Sequence, residues 1–221
     1  MTRLPSFLED PDDTQQAIMK ATYVALCEHG YSNLTIQRIG DEFSKSKSLL
    51  YHHYDSKDEL LLDFLDFILD RYEDQIPAHE DGRYEDSIEG IARGSFEFDD
   101  PEVNLDFTKA LVELRAQAAH DEQFREYFTR TDHFMRKYIA HTIRAGIEKG
   151  VFREADPQET AALFMVVITG SMVQHATGTD ELLEDAGNAF ERYVQEHLLE
   201  SDETTGSETD ASASRSDAPE E

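Results

Sequence analysis

The chain has 221 residues, with 48 Asp and Glu against 20 Lys and Arg, no Trp and 1 Cys. This length carries one or two domains with a sizeable core, and few Pro and Gly beside abundant Ala, Leu, Glu and Asp point to an all-α protein. The single Cys27 excludes an internal disulfide framework and a cysteine-based zinc site, while no signal pattern and no spanning apolar run are found, which predicts a cytoplasmic chain that crosses no membrane.

The formal net charge is −28. Residues 1–60 hold 10 acids and 6 bases, residues 61–200 hold 31 and 13, and residues 201–221 hold 7 and 1. Such a balance ordinarily speaks against a nucleic-acid partner. In molar salt, however, the Debye length falls to about 3 Å, and distant carboxylates no longer repel a phosphate backbone. The acidity therefore reads as adaptation to a salt-saturated cell. The rival reading is a basic partner in an ordinary one.

Residues 1–13 (MTRLPSFLEDPDD) read as a loose, flexible arm. The first helix is predicted over 13–29, with Ile18, Ala21, Ala25 and Leu26 inward and Gly30 placed to close it. Cys27, inside that helix, reads as a buried, inert thiol. Residues 35–54, TIQRIGDEFSKSKSLLYHHY, read as two short helices with a tight connection. Thr35 is placed to cap the first, whose apolar face is Ile36, Ile39 and Phe43. Ser46 is placed to cap the second, anchored by Leu50 and Tyr54. Lys47, Ser48, Leu49, Tyr51, His52 and His53 remain for the other faces. Such a unit suits the DNA major groove; periodicity alone fits an ordinary surface helical hairpin equally well.

Ser56 and Glu59, at capping-box spacing, open a long helix with the stripe Leu60, Leu61, Phe64, Leu65, Ile68 and Tyr72. Residues 84–96 are weakly periodic, and Gly90 and Gly94 make them a poor isolated helix that packing must hold. Pro101 starts the next helix, with Leu105, Ala110, Leu111, Leu114 and Ala118 on its buried side. Residues 121–149 read as one long helix closed by Gly150. Pro157 opens a helix whose residues 161–168 are apolar all round, which calls for cover on every side. The last helix is predicted over 180–199, and the acidic stretch 200–221 has no apolar anchor and reads as disordered.

From residue 18 to about residue 62 the chain resembles the DNA-binding domain of the TetR/AcrR regulators. The resemblance rests on Ile18, Ala21, Gly30-Tyr31, Thr35-Ile36, Ile39 and above all the run SK-x-x-LYHHY-x-SK-x-ELL. Residues 105–195 resemble, more loosely, the regulatory domain of BetI-type repressors, through ELRAQAAHDEQFREYF, IEKGVFREADPQETAALF and TGSMVQHATGTD. There are departures. Ser44-Lys45 stands where the family's turn usually has Gly and an apolar residue, and Ser48 and Leu49 replace the usual Gly and Thr. These leave the family intact and remove any inference about base preference.

The resemblance implies a three-helix helix-turn-helix domain at 14–60 and a helical ligand-binding and dimerisation bundle at 61–199. It implies a ligand-responsive repressor that binds a near-palindromic double-stranded DNA operator as a homodimer. The DNA-contact candidates are Thr35, Arg38, Lys45, Ser46, Lys47, Ser48, Leu49, Tyr51, His52 and Lys57. Of these, Lys57 sits at a helix N-terminus suited to phosphate, and Leu49 either meets a thymine methyl or turns inward. An effector pocket is implied by the family and by no motif. Its candidate lining is Phe96, Phe107, Arg115, Phe124, Phe128, His133, Phe134, Met135 and Arg144, which suits an apolar effector or plain core. The expected dimer interface is Phe164, Val167, Ile168, Gly170, Ser171, Phe190 and Val194. No catalytic constellation, metal site or cofactor is expected; His133 and His141, for example, lie about 12 Å apart along a helix and cannot share an ion. The runner-up is a helical protein-interaction or nucleoid-associated module without a small-molecule effector.

Overall fold

A computed structural model describes residues 4–75, 83–96 and 105–199. Ten helices are found among them: α1 (Ser6–Glu9), α2 (Thr14–Asn33), α3 (Ile36–Glu42), α4 (Lys47–His53), α5 (Lys57–Gln75), α6 (Tyr84–Gly94), α7 (Leu105–Gln117), α8 (Glu122–Lys149), α9 (Pro157–Thr177) and α10 (Asp180–His197). The described residues contain no strand, only an isolated bridge between Phe152 and Leu199. The acidic connection at 78–82, the helix start at Pro101 and the tail 200–221 lie outside the described residues.

The helix starts follow the sequence closely, except that Ser46 precedes α4 without a side-chain hydrogen bond to its amides. Asp13 caps α2 by accepting from the Gln16 amide, Asp121 caps α8 from Gln123 and Phe124, and Asp156 caps α9 from Gln158 and Glu159 just ahead of Pro157. Each satisfies amides that have no partner within their own helix. The Ser56 hydroxyl accepts from the Glu59 amide at 3.1 Å, but Glu59 reaches back to the Asp55 amide at 2.8 Å, one residue beyond the expected capping box. Gly150 closes α8 in the left-handed region, with φ 75°.

One difference stands at the N-terminus. Residues 4–12 are a docked segment where a loose arm was expected. Leu8 is fully buried, Leu4 and Phe7 pack on the same core, and Lys20 donates to the Glu9 carbonyl at 2.5 Å. The apolar letters of LPSFL are few, but α1 is short enough for three of them to carry it. The regular part of the first helix stops at Gly30, as expected: the backbone leaves the helical region there, at φ 65° and ψ 167°, and a separate short turn follows over Tyr31 to Asn33.

Two apolar cores result. The first gathers α1 to α5 (Leu8, Met19, Tyr23, Leu50 and Phe64 among them) with Ala110 and Leu114 of α7 and Phe124 and Tyr127 of α8. It does not part between residues 60 and 61, since Leu60, Leu61, Phe64 and Leu65 all enter it. The second joins Tyr84, Ile88 and Ala92 of α6 to Ile139 and Ile143 of α8, Phe152, Phe164 of α9 and Phe190 and Val194 of α10. Packing on α8 and α10 thus holds the glycine-containing α6. Helix α8, 28 residues and so about 42 Å long, is the beam that enters both cores.

Helix α9 corrects two expectations. By length and composition it can cross a membrane, contrary to the sequence reading, because Gln, Thr, Ser and Gly interrupt its apolar run without adding charge. It packs on α7 and α8, yet only 22% of that stretch is buried. Four of the residues expected at a dimer interface face into the subunit instead. Phe164, Ser171, Phe190 and Val194 are buried, with the Phe164 and Phe190 rings 4.8 Å apart. Val167 and Ile168 are half-buried and Gly170 is exposed. The side that lacks cover carries Leu163, Val166, Gly170 and Val173, at i, i+3, i+7 and i+10.

Candidate nucleic-acid interface

The recognition unit is α3, α4 and the first turn of α5. Leu50 is fully buried and fixes α4 to the core, while Lys47, Ser48, Tyr51, His52 and His53 are exposed around it. Tyr54, just past α4, is half-buried and its hydroxyl donates a hydrogen bond to the Asp63 carboxylate of α5. Burial first, and then Asp63, push its phenol well above the usual tyrosine range. This ties the C-terminal end of α4 to α5. Leu49 is half-buried and packs on the first core, so of its two sequence readings the structure takes the inward one.

The α3 and α4 helices sit close because position 40 has no side chain. A Cβ on Gly40 would lie 3.2 Å from Cγ of Lys47 and 3.5 Å from Cδ1 of Leu50. Lys47 crosses this gap to pair with Asp41. Gly40 was not singled out from the sequence. A Gly in the middle of a seven-residue helix was the available signal, since glycine weakens a helix unless something approaches closely.

Each basic candidate is engaged within the chain. The Thr35 hydroxyl caps α3 by accepting from the Arg38 amide at 3.2 Å, and the Arg38 guanidinium donates to the Asn33 carbonyl. Lys45 donates to the Thr14 hydroxyl at 2.9 Å, and the Ser46 and Ser48 hydroxyls share a hydrogen bond of 2.7 Å. Lys57 donates to the Tyr31 carbonyl at 2.9 Å, and its ammonium stands 4.0 Å from the centre of the Tyr31 ring. The Tyr31 phenol is pushed up to about 12 by burial and by Asp58, so it keeps its proton. Thr35, Arg38, Lys45, Ser46, Lys47, Ser48, Tyr51 and His52 are all exposed, and Lys57 is half-buried.

Such a surface can grip a duplex. A short exposed helix held by one buried anchor presents cations, hydroxyls and a phenol, and the N-terminus of α5 offers free amides to phosphate. Residues 18–64 match the family model "Bacterial regulatory proteins, tetR family", and residues 88–199 match "BetI-type transcriptional repressor, C-terminal". The chain belongs to the TetR family. It is a DNA-binding transcriptional repressor with an N-terminal helix-turn-helix and a helical C-terminal region.

Solved TetR regulators repeat this architecture. A TetR transcription regulator from Haloarcula marismortui is 35% identical, with a TM-score of 0.76 over 86% of this chain and 100% of that one. A putative transcriptional regulator from Saccharomonospora viridis, crystallised with choline, is 20% identical with a TM-score of 0.73 over 85% and 98%, and shows the fold alone. Among named relatives, the HTH-type transcriptional repressor AcnR of Corynebacterium efficiens is 25% identical over 171 residues, 77% of this chain and 86% of AcnR.

The residues expected to line an effector pocket in this TetR chain fall in different places. Phe107 and Phe124 belong to the first core, the former 4.8 Å from the Tyr23 ring. Phe96 lies in the second, against Phe190. Arg115 pairs with Asp132 through two hydrogen bonds of 3.1 and 2.5 Å and lies over the Phe128 ring. Phe134 and Met135 are half-buried, and His133 and Arg144 are exposed. A separate cleft of about 410 Å³ lies in the DNA-binding head, lined by Thr14, Gln15, Ile18, His53, Tyr54 and Asp63.

Proposed function

We propose that the chain represses transcription as a cytoplasmic homodimer, placing one α4 helix in each of two successive major grooves of a near-palindromic operator. The observation that carries this is α4 itself, with Leu50 buried and Lys47, Ser48, Tyr51 and His52 exposed. In that setting Tyr51 and His52 meet the backbone, Lys47 and Ser48 reach base edges, and Lys57 meets a phosphate. The exposed apolar side of α9, with Leu182 of α10, supports pairing with a second copy. The same side would otherwise meet lipid or water.

The effector has an apolar body and a polar handle in this reading. Phe128, Phe134 and Met135 on α8 supply half-buried apolar surface, and Arg115 supplies a cation that already holds Asp132. A bound effector shifts the population between dimer arrangements that do and do not match operator spacing.

Footprinting on the DNA upstream of the chain's own gene tests the reading. A protected near-palindrome, about one helical turn between half-sites, is the expected result. Uniform coverage without a preferred site would favour a nucleoid-associated module instead.

A further inference from the structure

The break at Gly30 leaves the Tyr31 and Ser32 amides facing away from α2, and a carboxylate from a distant helix takes them. Glu113 of α7 accepts from the Tyr31 amide at 2.6 Å and from the Ser32 amide at 3.4 Å. The fit is close, since a Cβ on Gly30 would lie 3.1 Å from either carboxylate oxygen. The other side of Tyr31 faces the DNA-binding surface, where its carbonyl accepts from Lys57 and its ring underlies the same ammonium. Phe124 of α8 meets the Tyr31 ring edge-on, with centroids 6.2 Å apart. One residue is therefore held by α7 and α8 on one side and holds a lysine of α5 on the other.

We propose that Glu113 is a positioning residue for DNA binding: by fixing the Tyr31 peptide it holds Lys57 at the phosphate-facing end of α5, and so couples the regulatory helix α7 to a DNA contact. The inference rests on the reading of Lys57 as a phosphate contact. A lysine ammonium has three donors, so a bond to the Tyr31 carbonyl leaves two for a phosphate while removing much of the side chain's freedom. If α7 shifts, the Glu113 carboxylate leaves the break at Gly30, Tyr31 loses its fixed orientation, and Lys57 loses its seat. Any α7 displacement then changes operator affinity without a contact between α7 and DNA.

The test is a double-mutant cycle on the full chain, with a duplex selected from a random library by the wild-type protein. Affinities of wild type, Lys57→Ala, Glu113→Ala, Glu113→Gln and the double mutant Glu113→Ala/Lys57→Ala are measured across a KCl series. Glu113→Ala should weaken binding about tenfold, and the double mutant should bind no more weakly than Lys57→Ala, because contacts that act through one another are not additive. The salt slope of Glu113→Ala should fall to that of Lys57→Ala. Glu113→Gln keeps an acceptor oxygen and should recover most of the loss, with a far-UV spectrum at the assay temperature confirming that each variant is folded. Losses that simply multiply, or a Glu113→Ala loss with the wild-type salt slope, would overturn the proposal and leave Lys57 as a contact. No loss in Lys57→Ala would overturn the contact itself, and the coupling with it.

Discussion

Phe164 and Val166 stand two residues apart on α9 and face opposite ways: Phe164 is fully buried against Phe190, and Val166 is 72% exposed. Half of this apolar helix builds the subunit, and half is left over. Leu163 and Val173, each 39% exposed, continue the uncovered side, and Leu182 of α10, at 55%, adds to the exposed apolar surface. The two faces should respond differently to substitution. Val166→Arg or Gly170→Arg should leave the thermal transition of the subunit nearly in place and convert dimer to monomer in sedimentation. Phe164→Ala should cost about 3–5 kcal/mol of stability through the cavity it leaves. A dimer unchanged by both arginines would remove α9 from the interface.

The N-terminal segment gives a second test. Leu8 is fully buried among the helix-turn-helix core residues, and Phe7 meets Phe67 with ring centroids 6.4 Å apart. A disordered arm could be cut away without effect, but a docked one cannot. Leu8→Ala should lower stability by about 2–5 kcal/mol and lower operator affinity as the head loosens. Chemical denaturation of Leu8→Ala checks this, and an unchanged midpoint would return the segment to the status of an arm.

The helices were legible in the sequence because the signals are local: Thr35 and Ser56 cap α3 and α5 as placed, and Leu50 anchors α4 as its spacing requires, whereas Ser46 turns its hydroxyl to Ser48 and caps nothing. Which residues of α4 are exposed follows from the spacing around Leu50, whereas Thr35, Arg38, Lys45 and Lys57 lie outside that helix and their part at a duplex rests on the family resemblance. What sequence could not reveal depends on distant partners. Glu113 lies 82 positions from Tyr31 and has no periodic signature of its role. The direction of the α9 faces was equally hidden, because an all-apolar helix carries no polar side to orient it. Phe164 and Val166 look alike in sequence, and only packing on α8 and α10 tells them apart.

Cys27 sets a pH dependence. Burial pushes its thiol from 9.0 up to about 12, with Tyr23 hydrogen bonding opposing and Asp106 adding to the shift. The folded chain therefore holds this proton more tightly than the unfolded one. Stability from this group is complete below about pH 9 and is lost as pH rises toward 12. Tyr31 and Tyr127, each raised from 10.0 to about 12 with burial the leading cause, act in the same direction over the upper part of that window. In urea titrations, Cys27→Ala should lose less stability than wild type between about pH 8 and about pH 11. The thiol should also be alkylated far more slowly than free cysteine at about pH 8, since the thiolate is the nucleophile. Rapid alkylation of the folded chain would show that Cys27 is not enclosed.

Salt dependence gives the last test, and it turns on Lys47 and Asp41. In the proposed complex four cations approach the operator in each half-site: Arg38, Lys45, Lys47 and Lys57. Three of them bond neutral acceptors within the chain (the Asn33 carbonyl, the Thr14 hydroxyl and the Tyr31 carbonyl) and so bring their full charge to the duplex. Lys47 is paired with Asp41, both about half exposed, so the pair brings no net charge whether or not Lys47 swings to the DNA. Each neutralised phosphate contributes about −0.9 to the slope of log affinity against log salt. Three delivered charges in each half-site set a limit of about −5 for a dimer, and carboxylates nearby such as Glu42, Asp55 and Glu59 make it shallower by holding cations of their own. A slope at that limit would cost about five orders of magnitude between about 0.1 and about 1 M KCl. Binding that persists above about 1 M KCl, the expected outcome, therefore requires those carboxylates to flatten it, with base-edge bonds and bridging waters carrying the affinity. Asp41→Asn should tighten binding at low salt and steepen the slope by about 0.9 per half-site, since Lys47 then delivers an unmatched charge. Operator affinity of wild type and Asp41→Asn across a KCl series decides the matter. Equal slopes would show that Asp41 does not neutralise Lys47 at the DNA, and a steep wild-type slope with no binding left at about 1 M would refute the salt-tolerant mechanism.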